Sequence, residues 1–437
     1  MRRFKNRVGL ALLLLFCLAM LAGCGAQSAT KAETAETPEP IAQTEPLEQA
    51  EPAAAAATPE PIPLPEEPAP AGEPLRLIVA TDLHYISPRI SDFGAAFMKA
   101  MSNGDGKLSE CAEAIVDELV RVTLAERPSA LVLCGDLTYN GEQASLGDLL
   151  EKLRTVQNAG IPVLLLPGNH DIGSHFAFSF EGDTAYYATN ISQPDFLAAC
   201  REFGYDRALA RDEGSFSYVY ALAEDCRLLF LDANTVDKRG GIREETLAWA
   251  EEQLAEAQVA GATVITVTHQ NLLRQNSMLY NGYVLSNAKS TEKLLRQYGV
   301  QTTLSGHSHH QHKVTEEGLT DYCTGSLSVA PLMYASVEID ELRAVSYRQE
   351  HLTILQEAAR ERMWQSGMSK IAGRVAELEL DEETQTRMTD FAVGLNLDFF
   401  AGMVDAEAAR ADPAWALWEK YGTDISWLPY MRSMLES

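Results

Sequence analysis

Five short polar segments, each at the end of an apolar run, constrain this chain more than any other feature. Runs such as residues 77–80 and 163–166 predict buried strands. In open α/β sheets, ligands bind beyond the carboxyl ends of the strands, so these polar groups are expected to converge at one edge of one sheet. The segments are Asp82-Leu83-His84, Gly135-Asp136, Gly168-Asn169-His170-Asp171, His269 and Gly306-His307-Ser308-His309. Carboxylate, carboxamide and imidazole groups suit one or two ions such as Mn, Fe or Zn rather than a thiolate site.

The order and spacing of the five segments resemble the calcineurin-like metallophosphoesterase superfamily. The resemblance implies a four-layer α/β/β/α sandwich with two divalent metal ions. It assigns one set of ligands to each ion, with Asp136 shared: Asp82, His84, Asp136 and His309 for the first, and Asp136, Asn169, His269 and His307 for the second. The implied reaction is direct hydrolysis of a phosphate ester by a hydroxide that bridges the ions.

Two residues of the third segment are expected to act beside the metals. His170 has no ligand role in the family pattern. It resembles the histidine that contacts the phosphate and can protonate the leaving oxygen; the alternative is a turn residue bonded to backbone. Asp171 is expected to orient His170 or one of the ligands.

Three further positions separate this chain from related patterns. The fourth segment often carries paired histidines, and here Gln270 takes the second place while His269 still fills the metal position. Tyr139 stands where a tyrosine ligates iron in purple acid phosphatases. Those enzymes lack the histidine of the first segment, which this chain has as His84, so Tyr139 is expected to be a loop residue. His310 and His312 fit the ligand registers poorly and are not expected to bind metal.

The first 23 residues predict a lipoprotein signal peptide. A basic start is followed by an apolar stretch from Val8 to Leu21 that is short for a membrane span, which needs about 20 residues. Leu21-Ala22-Gly23-Cys24 resembles a bacterial lipobox, which implies cleavage before Cys24 and lipidation of its thiol. The expected location is the extracytoplasmic face of the cell membrane. An ordinary signal peptide or an uncleaved anchor is the alternative.

Residues 24–74 predict a disordered stalk. Eleven of the 19 prolines of the chain lie between Pro38 and Pro74, and residues 25–74 hold ten glutamates against one lysine. Without apolar periodicity the segment cannot bury enough surface to fold by itself. Proline and repulsion between like charges keep such a segment extended.

The formal charge of −27 argues against double-stranded nucleic acid as a partner, because no basic stripe is available to displace counterions. A small phosphate ester stays compatible with this charge, since bound dications dominate the local field. Beyond Cys17 and Cys24, five cysteines lack metal-type spacing and specify no disulfide. The oligomeric state is left open.

From residue 75 onward, strand-like runs alternate with helix-like periodic segments. Helices are predicted at residues 109–126, 143–159, 244–259 and 291–298, with a hairpin at residues 216–231 and short strands after the fifth segment. Helical crossovers early and meandering strands late predict an α/β sandwich with two facing sheets, over residues 75–349. Residues 350–437 contain helix formers and predict a helical C-terminal module.

Three functions remain open on this basis. Residues 135–142 resemble the bacterial cyclic-nucleotide phosphodiesterase branch, and a helical C-terminal module occurs in secreted Gram-positive members. The leading expectation is therefore a phosphodiesterase for cyclic nucleotides or similar small diesters. A phosphomonoesterase or nucleotidase is the second, because the same metal pair hydrolyses both bonds. A non-catalytic surface-binding lipoprotein is the third, and the seven filled ligand positions count against it.

Overall fold

The computed structural model describes residues 61–436, except residues 103 and 105. The predicted signal peptide (residues 1–23), Cys24 and the predicted stalk up to residue 60 lie outside the described residues. Within the described ranges, no helix combines the length and apolar character needed to cross a membrane. The five described cysteines are all free thiols.

The described chain contains sixteen strands and eleven α-helices. The strands are β1 Leu75–Ala80, β2 Ala130–Leu133, β3 Val163–Leu165, β4 Phe178–Glu181, β5 Thr184–Tyr187, β6 Ala210–Arg211, β7 Tyr218–Ala223, β8 Cys226–Phe230, β9 Asn234–Thr235, β10 Lys238–Arg239, β11 Thr263–Val267, β12 Thr302–Ser305, β13 His312–Glu316, β14 Leu319–Cys323, β15 Met333–Ile339 and β16 Val345–His351. The helices are α1 Ala95–Ser102, α2 Ala112–Glu126, α3 Gln143–Asn158, α4 Gln193–Cys200, α5 Glu244–Ala260, α6 Ala288–Gln297, α7 Gln356–Ala376, α8 Glu382–Phe400, α9 Ala406–Ala411, α10 Pro413–Tyr421 and α11 Trp427–Met434.

Two sheets form the centre of the molecule. The first has five strands in the order β16-β15-β1-β2-β3, and β1, β2 and β3 are parallel. The second has seven strands in the order β13-β14-β12-β11-β8-β7-β6. Buried side chains of both sheets share one core, and the Tyr218 hydroxyl of β7 donates to the Leu165 carbonyl of β3 at 3.1 Å. The predicted α/β sandwich is confirmed.

Helices cover the sandwich by burying apolar side chains on one face. In α2, Ile115, Val116, Leu119 and Val120 are buried at helical spacing in the core shared by the sheets. A second core joins strands β7 and β8 to α5 and α6 through residues such as Leu254. Helices therefore lie on the second sheet as well as on the first.

Residues 62–74 do not extend away from the sandwich. The Ile62 amide donates to the Asn158 carbonyl at 2.7 Å, and the Ala69 amide donates to the Leu222 carbonyl at 3.1 Å. The predicted stalk of residues 24–74 is therefore too long at its C-terminal end. Composition missed this contact because the segment is held by backbone groups at the end of α3 and along β7, which lie far away in the sequence.

The C-terminal module consists of α7 to α11. Its buried residues, including Met363, Val393 and Trp418, belong to the same hydrophobic core as the first sheet. The predicted boundary at residue 349 falls within β16, which ends at His351. The module is therefore packed directly on the α/β domain.

Candidate metal centre

The five polar segments meet where the strands of both sheets end. Three segments follow β1, β2 and β3 of the first sheet, and two follow β11 and β12 of the second. The expectation of a site at the edge of one sheet is therefore wrong. Two facing sheets bring their carboxyl ends together, which places donors on both sides of the site.

Five of the seven predicted ligands have backbone in the left-handed region. Their φ angles are 53° for Asp82, 43° for His84, 48° for Asp136, 67° for His307 and 62° for His309. Residues with side chains rarely adopt this conformation, and those that do cluster at functional sites. The turns after the strands thus hold these side chains against a local conformational cost.

Glycines precede several ligands because the segments approach one another closely. A Cβ atom on Gly168 would lie 2.2 Å from Asp136 Oδ1, and one on Gly306 would lie 2.8 Å from Asp82 Oδ2. Gly135, at φ +100°, would place a Cβ 2.6 Å from His269 Nδ1. Any larger residue at these positions would push a predicted ligand out of the site.

The first donor cluster contains Asp82, His84, Asp136 and His309. One donor atom from each lies within 4.8 Å of the others, and all four residues are buried. His84 Nε2 and His309 Nε2 face each other at 3.2 Å. Asp82 Oδ2 accepts from the Thr81 hydroxyl and the His307 amide, and the buried Asp82 Oδ1 lies 3.2 Å from His309 Nε2.

The second cluster contains Asp136, His269 and His307, again within 4.8 Å. Asn169 joins it, because Asn169 Oδ1 lies 3.0 Å from His269 Nε2. Asp136 Oδ2 is 3.3 Å from His269 Nε2 and 3.9 Å from His84 Nε2. Asp136 is therefore the residue common to both clusters, and the structure brings all seven predicted ligands together.

The hydrogen bonds of two histidines define which ring nitrogen faces the site. His269 Nδ1 lies 2.8 Å from the Cys134 carbonyl, and His307 Nε2 lies 2.8 Å from the Gly282 carbonyl. Carbonyl oxygens only accept, so these nitrogens carry the protons. His269 Nε2 and His307 Nδ1, 3.2 Å apart, are left to face the site.

The charges of the site favour a bound cation. Burial lowers the pKa of His269, yet the neighbouring Asp136 carboxylate outweighs it and raises that pKa to about 9, so a metal ion at Nε2 would take the place of a proton. Burial lowers the pKa of His307 to about 4 and that of His84 well below its ordinary value, so both imidazoles are neutral. Neutral imidazoles beside the Asp82 and Asp136 carboxylates are the donor set that divalent transition metals require.

His170 lies beside the clusters without belonging to either. Its Nε2 is 3.9 Å from Asp136 Oδ2, and its Nδ1 donates to Asn140 Oδ1 at 2.8 Å and to the Tyr139 carbonyl at 3.1 Å. Nε2 therefore faces the centre. Desolvation lowers the pKa of His170, which favours the neutral ring.

The Asp171 carboxylate binds backbone amides rather than the His170 ring. Its carboxylate accepts from the amides of Leu137, Thr138 and Gly168 at 2.8–3.1 Å and from the Thr138 hydroxyl at 2.7 Å. These bonds join the loop of Asp136 to the loop of Asn169. Asp171 therefore positions ligand loops and does not contact the reacting atoms.

The positions that depart from related patterns have other partners. The Gln270 and Asn234 amides exchange two hydrogen bonds of 2.8 and 3.0 Å. The Tyr139 ring packs 5.9 Å from Phe97, within an aromatic cluster. His310 stacks on Phe399 with ring centroids 4.6 Å apart, and His312 Nδ1 bonds Gln275 Oε1 at 3.1 Å.

Four contributors to the site were not found from the sequence. Asn140 fixes the His170 ring, and Arg239 donates to the Asn169 carbonyl at 3.2 Å. Asp321, in β14, accepts from the Leu272 and Leu273 amides, which follow His269. The positive charge of Lys107 contributes to lowering the pKa of both His84 and His170. Only Asn140 lies inside a recognised motif, so it alone had a local sequence signal.

The fold and the donor set together define a metal-dependent phosphoesterase. Residues 75–311 match the family model for calcineurin-like phosphoesterase, which spans more than half of the chain. The chain belongs to this family, whose members use divalent metals to hydrolyse phosphate esters.

Two solved structures align with part of this chain. A dimetal phosphatase from Danio rerio aligns with a TM-score of 0.45 and 14% identity, over 64% of this chain and 99% of that one. A purple acid phosphatase from yellow lupin, Lupinus luteus, aligns with a TM-score of 0.43 and 13% identity, over 64% of this chain and 52% of that one. No curated protein sequence matches the chain.

Proposed function

We propose that this protein is a two-metal phosphodiesterase that hydrolyses cyclic nucleotides or similar small diesters. The observation that carries the proposal is the position of Asp136, whose carboxylate lies between two clusters of donor atoms. A carboxylate has two oxygens and can serve two ions at once. Asp82, His84 and His309 complete one set, and Asn169, His269 and His307 complete the other.

Each residue has a separate task in this proposal. Two divalent ions, when bound, polarise the phosphoryl group and make water a nucleophile at neutral pH. Asn169 supplies a neutral oxygen, which limits the negative charge that an anionic ester meets. The Asp171 carboxylate keeps the loops of Asp136 and Asn169 in register through its backbone bonds.

His170 is placed to act on the ester. Asn140 holds the proton on Nδ1, so Nε2 is the atom that faces the centre. At that position Nε2 contacts the phosphate, and in its protonated form it delivers a proton to the leaving oxygen. The negative charge of a bound phosphate favours that protonated form and opposes the effect of burial on the His170 pKa.

The preference for diesters is supported by sequence alone, through residues 135–142 and the helical module. We further propose that Cys24 is lipidated and that the enzyme is held at the extracytoplasmic face of the cell membrane. This location rests on Leu21-Ala22-Gly23-Cys24.

The test compares two chromogenic esters with the metal-loaded protein. We expect bis(4-nitrophenyl) phosphate to be hydrolysed with a higher kcat/KM than 4-nitrophenyl phosphate, and a cyclic nucleotide to compete with it. A higher kcat/KM for the monoester would replace the diesterase assignment with a phosphomonoesterase or nucleotidase. If neither ester were hydrolysed, both the diesterase assignment and the monoesterase assignment would be overturned.

A further inference from the structure

A short hairpin formed by β9 and β10 lies beside the second cluster of the candidate metal centre. The two strands pair antiparallel with each other and form a sheet of their own, separate from the two large sheets. The β9 residues are buried, whereas the turn and the β10 residues are exposed. Hydrogen bonds lead from this β9–β10 hairpin, residues 234–239, to three of the second-set ligands.

The first link joins Arg239 to the segment that carries Asn169. The Arg239 guanidinium donates to the Asn169 carbonyl at 3.2 Å. It also donates to the carbonyls of Ile172 at 2.6 Å and Gly173 at 3.2 Å. A guanidinium can hold several carbonyls at once because it is a planar fork with five N–H donors. Arg239 therefore fixes the backbone on both sides of residues 170–171, and with it the direction of the Asn169 side chain.

The second link joins β9 to the segment that carries His269. Gln270 follows His269 directly in the sequence. Its side-chain amide exchanges two hydrogen bonds, of 2.8 and 3.0 Å, with the side chain of Asn234 in β9. Both side chains are buried, so breaking the pair would leave polar groups without partners. The hairpin thus holds the residue next to His269.

The third link runs from the residue after β10 to His307. The Gly240 carbonyl accepts from the Ser286 amide at 2.7 Å. In the same segment as Ser286, the Gly282 carbonyl lies 2.8 Å from His307 Nε2 and accepts its proton. The hairpin therefore supports the segment that orients the His307 ring.

The ligands of the first set are held from a different segment. The Ser326 and Ser328 hydroxyls donate to the Asp82 carbonyl at 2.9 and 3.0 Å. The Ser326 amide donates to the His309 carbonyl at 3.1 Å. The two sets share Asp136, but their other ligands rest on separate supports.

We propose that the β9–β10 hairpin, through Arg239 above all, positions the ligands of the second metal ion and sets the affinity for that ion, with little effect on the first. Three of the four second-set ligands are linked to the hairpin or to the residue that follows it. Such outer partners orient metal ligands, and losing one typically lowers metal affinity or activity about 10–100-fold. The inference rests on the proposed two-metal function and concerns the binding of one of its ions.

Calorimetric titration of the metal-free protein with Mn²⁺ tests the proposal without catalysis. Two variants assign the binding events: His309→Ala removes a donor of the first set, and Asn169→Ala removes a donor of the second. We expect Arg239→Met to weaken the event that Asn169→Ala weakens, by about 10–100-fold. The other event should stay close to wild type, which also shows that the variant is folded.

Three further variants sharpen the measurement. Lys238→Met, the exposed neighbour in β10, should bind both ions as wild type does. Arg239→Lys keeps the charge, but one nitrogen cannot replace the fork, so it should weaken the same event to a smaller extent. It also provides the test if Arg239→Met does not fold. Arg239→Met added to Asn169→Ala should weaken binding little further, because the arginine acts through Asn169.

The outcomes separate this inference from the function on which it rests. If wild type binds two ions and the Arg239 variants leave both events unchanged, or weaken both equally, the role of the hairpin is overturned alone. If wild type binds fewer than two Mn²⁺ ions, the proposed two-metal function fails, and the inference fails with it.

Discussion

At the scale of single residues, the candidate ligands combine strained backbone with buried donors. Asp82, His84, Asp136, His307 and His309 all have φ between 43° and 67°. A non-glycine residue in this region costs roughly 1–3 kcal/mol, and it persists only where the surroundings fix it. Here the hydrogen bonds of the neighbouring loops supply that constraint, so the donors are placed before a metal arrives.

His170 separates catalysis from metal binding. Its Nε2 faces the centre, yet the ring belongs to neither donor cluster. His170→Ala should lower turnover of diesters with alkoxide leaving groups about 10²–10⁴-fold, while metal content stays near wild type. The loss should shrink for nitrophenyl esters, whose leaving group departs without a proton.

Steady-state kinetics of His170→Ala measure the loss of turnover, and elemental analysis of the same variant measures its metal content. The matched variant Asn140→Ala keeps the imidazole and removes its 2.8 Å bond, so it should lose less activity. Equal losses for good and poor leaving groups would assign His170 to phosphate positioning. Loss of metal would make it a ligand, contrary to the account.

Glu142 predicts a pH dependence of stability in the metal-free protein. Its side chain is fully buried, Oε1 has no hydrogen-bond partner, and burial raises its pKa to about 7 from 4.5. Between these pH values the folded chain holds a proton that the unfolded chain releases. The free energy of unfolding should therefore fall as pH rises from 4.5 to 7, by at most about 3 kcal/mol from this residue.

Urea unfolding of the metal-free protein at pH 5 and pH 7.5 measures this effect. Glu142→Gln cannot titrate, so its stability should fall less between the two pH values. Glu151→Gln, an exposed control on α3, should behave as wild type. If the free energy of unfolding changed equally between the two pH values for Glu142→Gln and wild type, this carboxyl would be ionised in the folded chain.

At the scale of elements, the long periodic segments were predicted well because their patterns are local. The helix predicted at residues 143–159 is found at Gln143–Asn158, and that at residues 244–259 is found at Glu244–Ala260. The hairpin of β4 and β5 was not predicted. β5 is wholly exposed, so it has no alternation between buried and exposed positions to detect.

The parts of the candidate site that have a local sequence pattern were predicted, and the parts that depend on distant contacts were not. Its seven ligands sit in short motifs at strand ends, where a local pattern marks them. Arg239 and Asp321 act through backbone groups far away in sequence, so no spacing reveals them. The position of the module against His309 likewise depends on tertiary packing, which composition does not encode.

Arg362 connects the module to the active-site side of the sandwich. It donates to the Lys107 carbonyl at 3.2 Å and to the Glu110 carboxylate at 3.1 Å. Arg362→Met should release the segment that carries Lys107, because both anchors are lost. We expect kcat/KM to fall about tenfold, as for the loss of a charged hydrogen bond, with metal content unchanged.

The control for Arg362 is another arginine of the same helix. Arg374 pairs with Glu377 on the surface at 3.4 Å, and Arg374→Met should leave kcat/KM near wild type. The measurement is kcat/KM of both variants, together with their metal content. Equal activity in the two variants would mean that the Arg362 contact has no role in the site.

At the scale of the whole molecule, we propose that the N-terminal segment determines location. If Cys24 is lipidated, acyl chains hold the protein at the membrane through about 0.8 kcal/mol per buried CH₂ group. Cys24→Ser should therefore move the protein from the membrane fraction to the soluble or secreted fraction. Cell fractionation with labelled fatty acid measures this, and an unchanged distribution would contradict the lipobox assignment.

The account as a whole depends on two metal ions that share Asp136. The most direct test is elemental analysis of the purified protein beside its rate of bis(4-nitrophenyl) phosphate hydrolysis, before and after chelation. We expect close to two divalent transition-metal ions per chain, loss of activity on chelation and recovery on adding metal. Asp136→Asn should lose more activity than a change at any other single ligand. A protein that contains no metal, with a rate that chelators leave unchanged, would contradict the central claim.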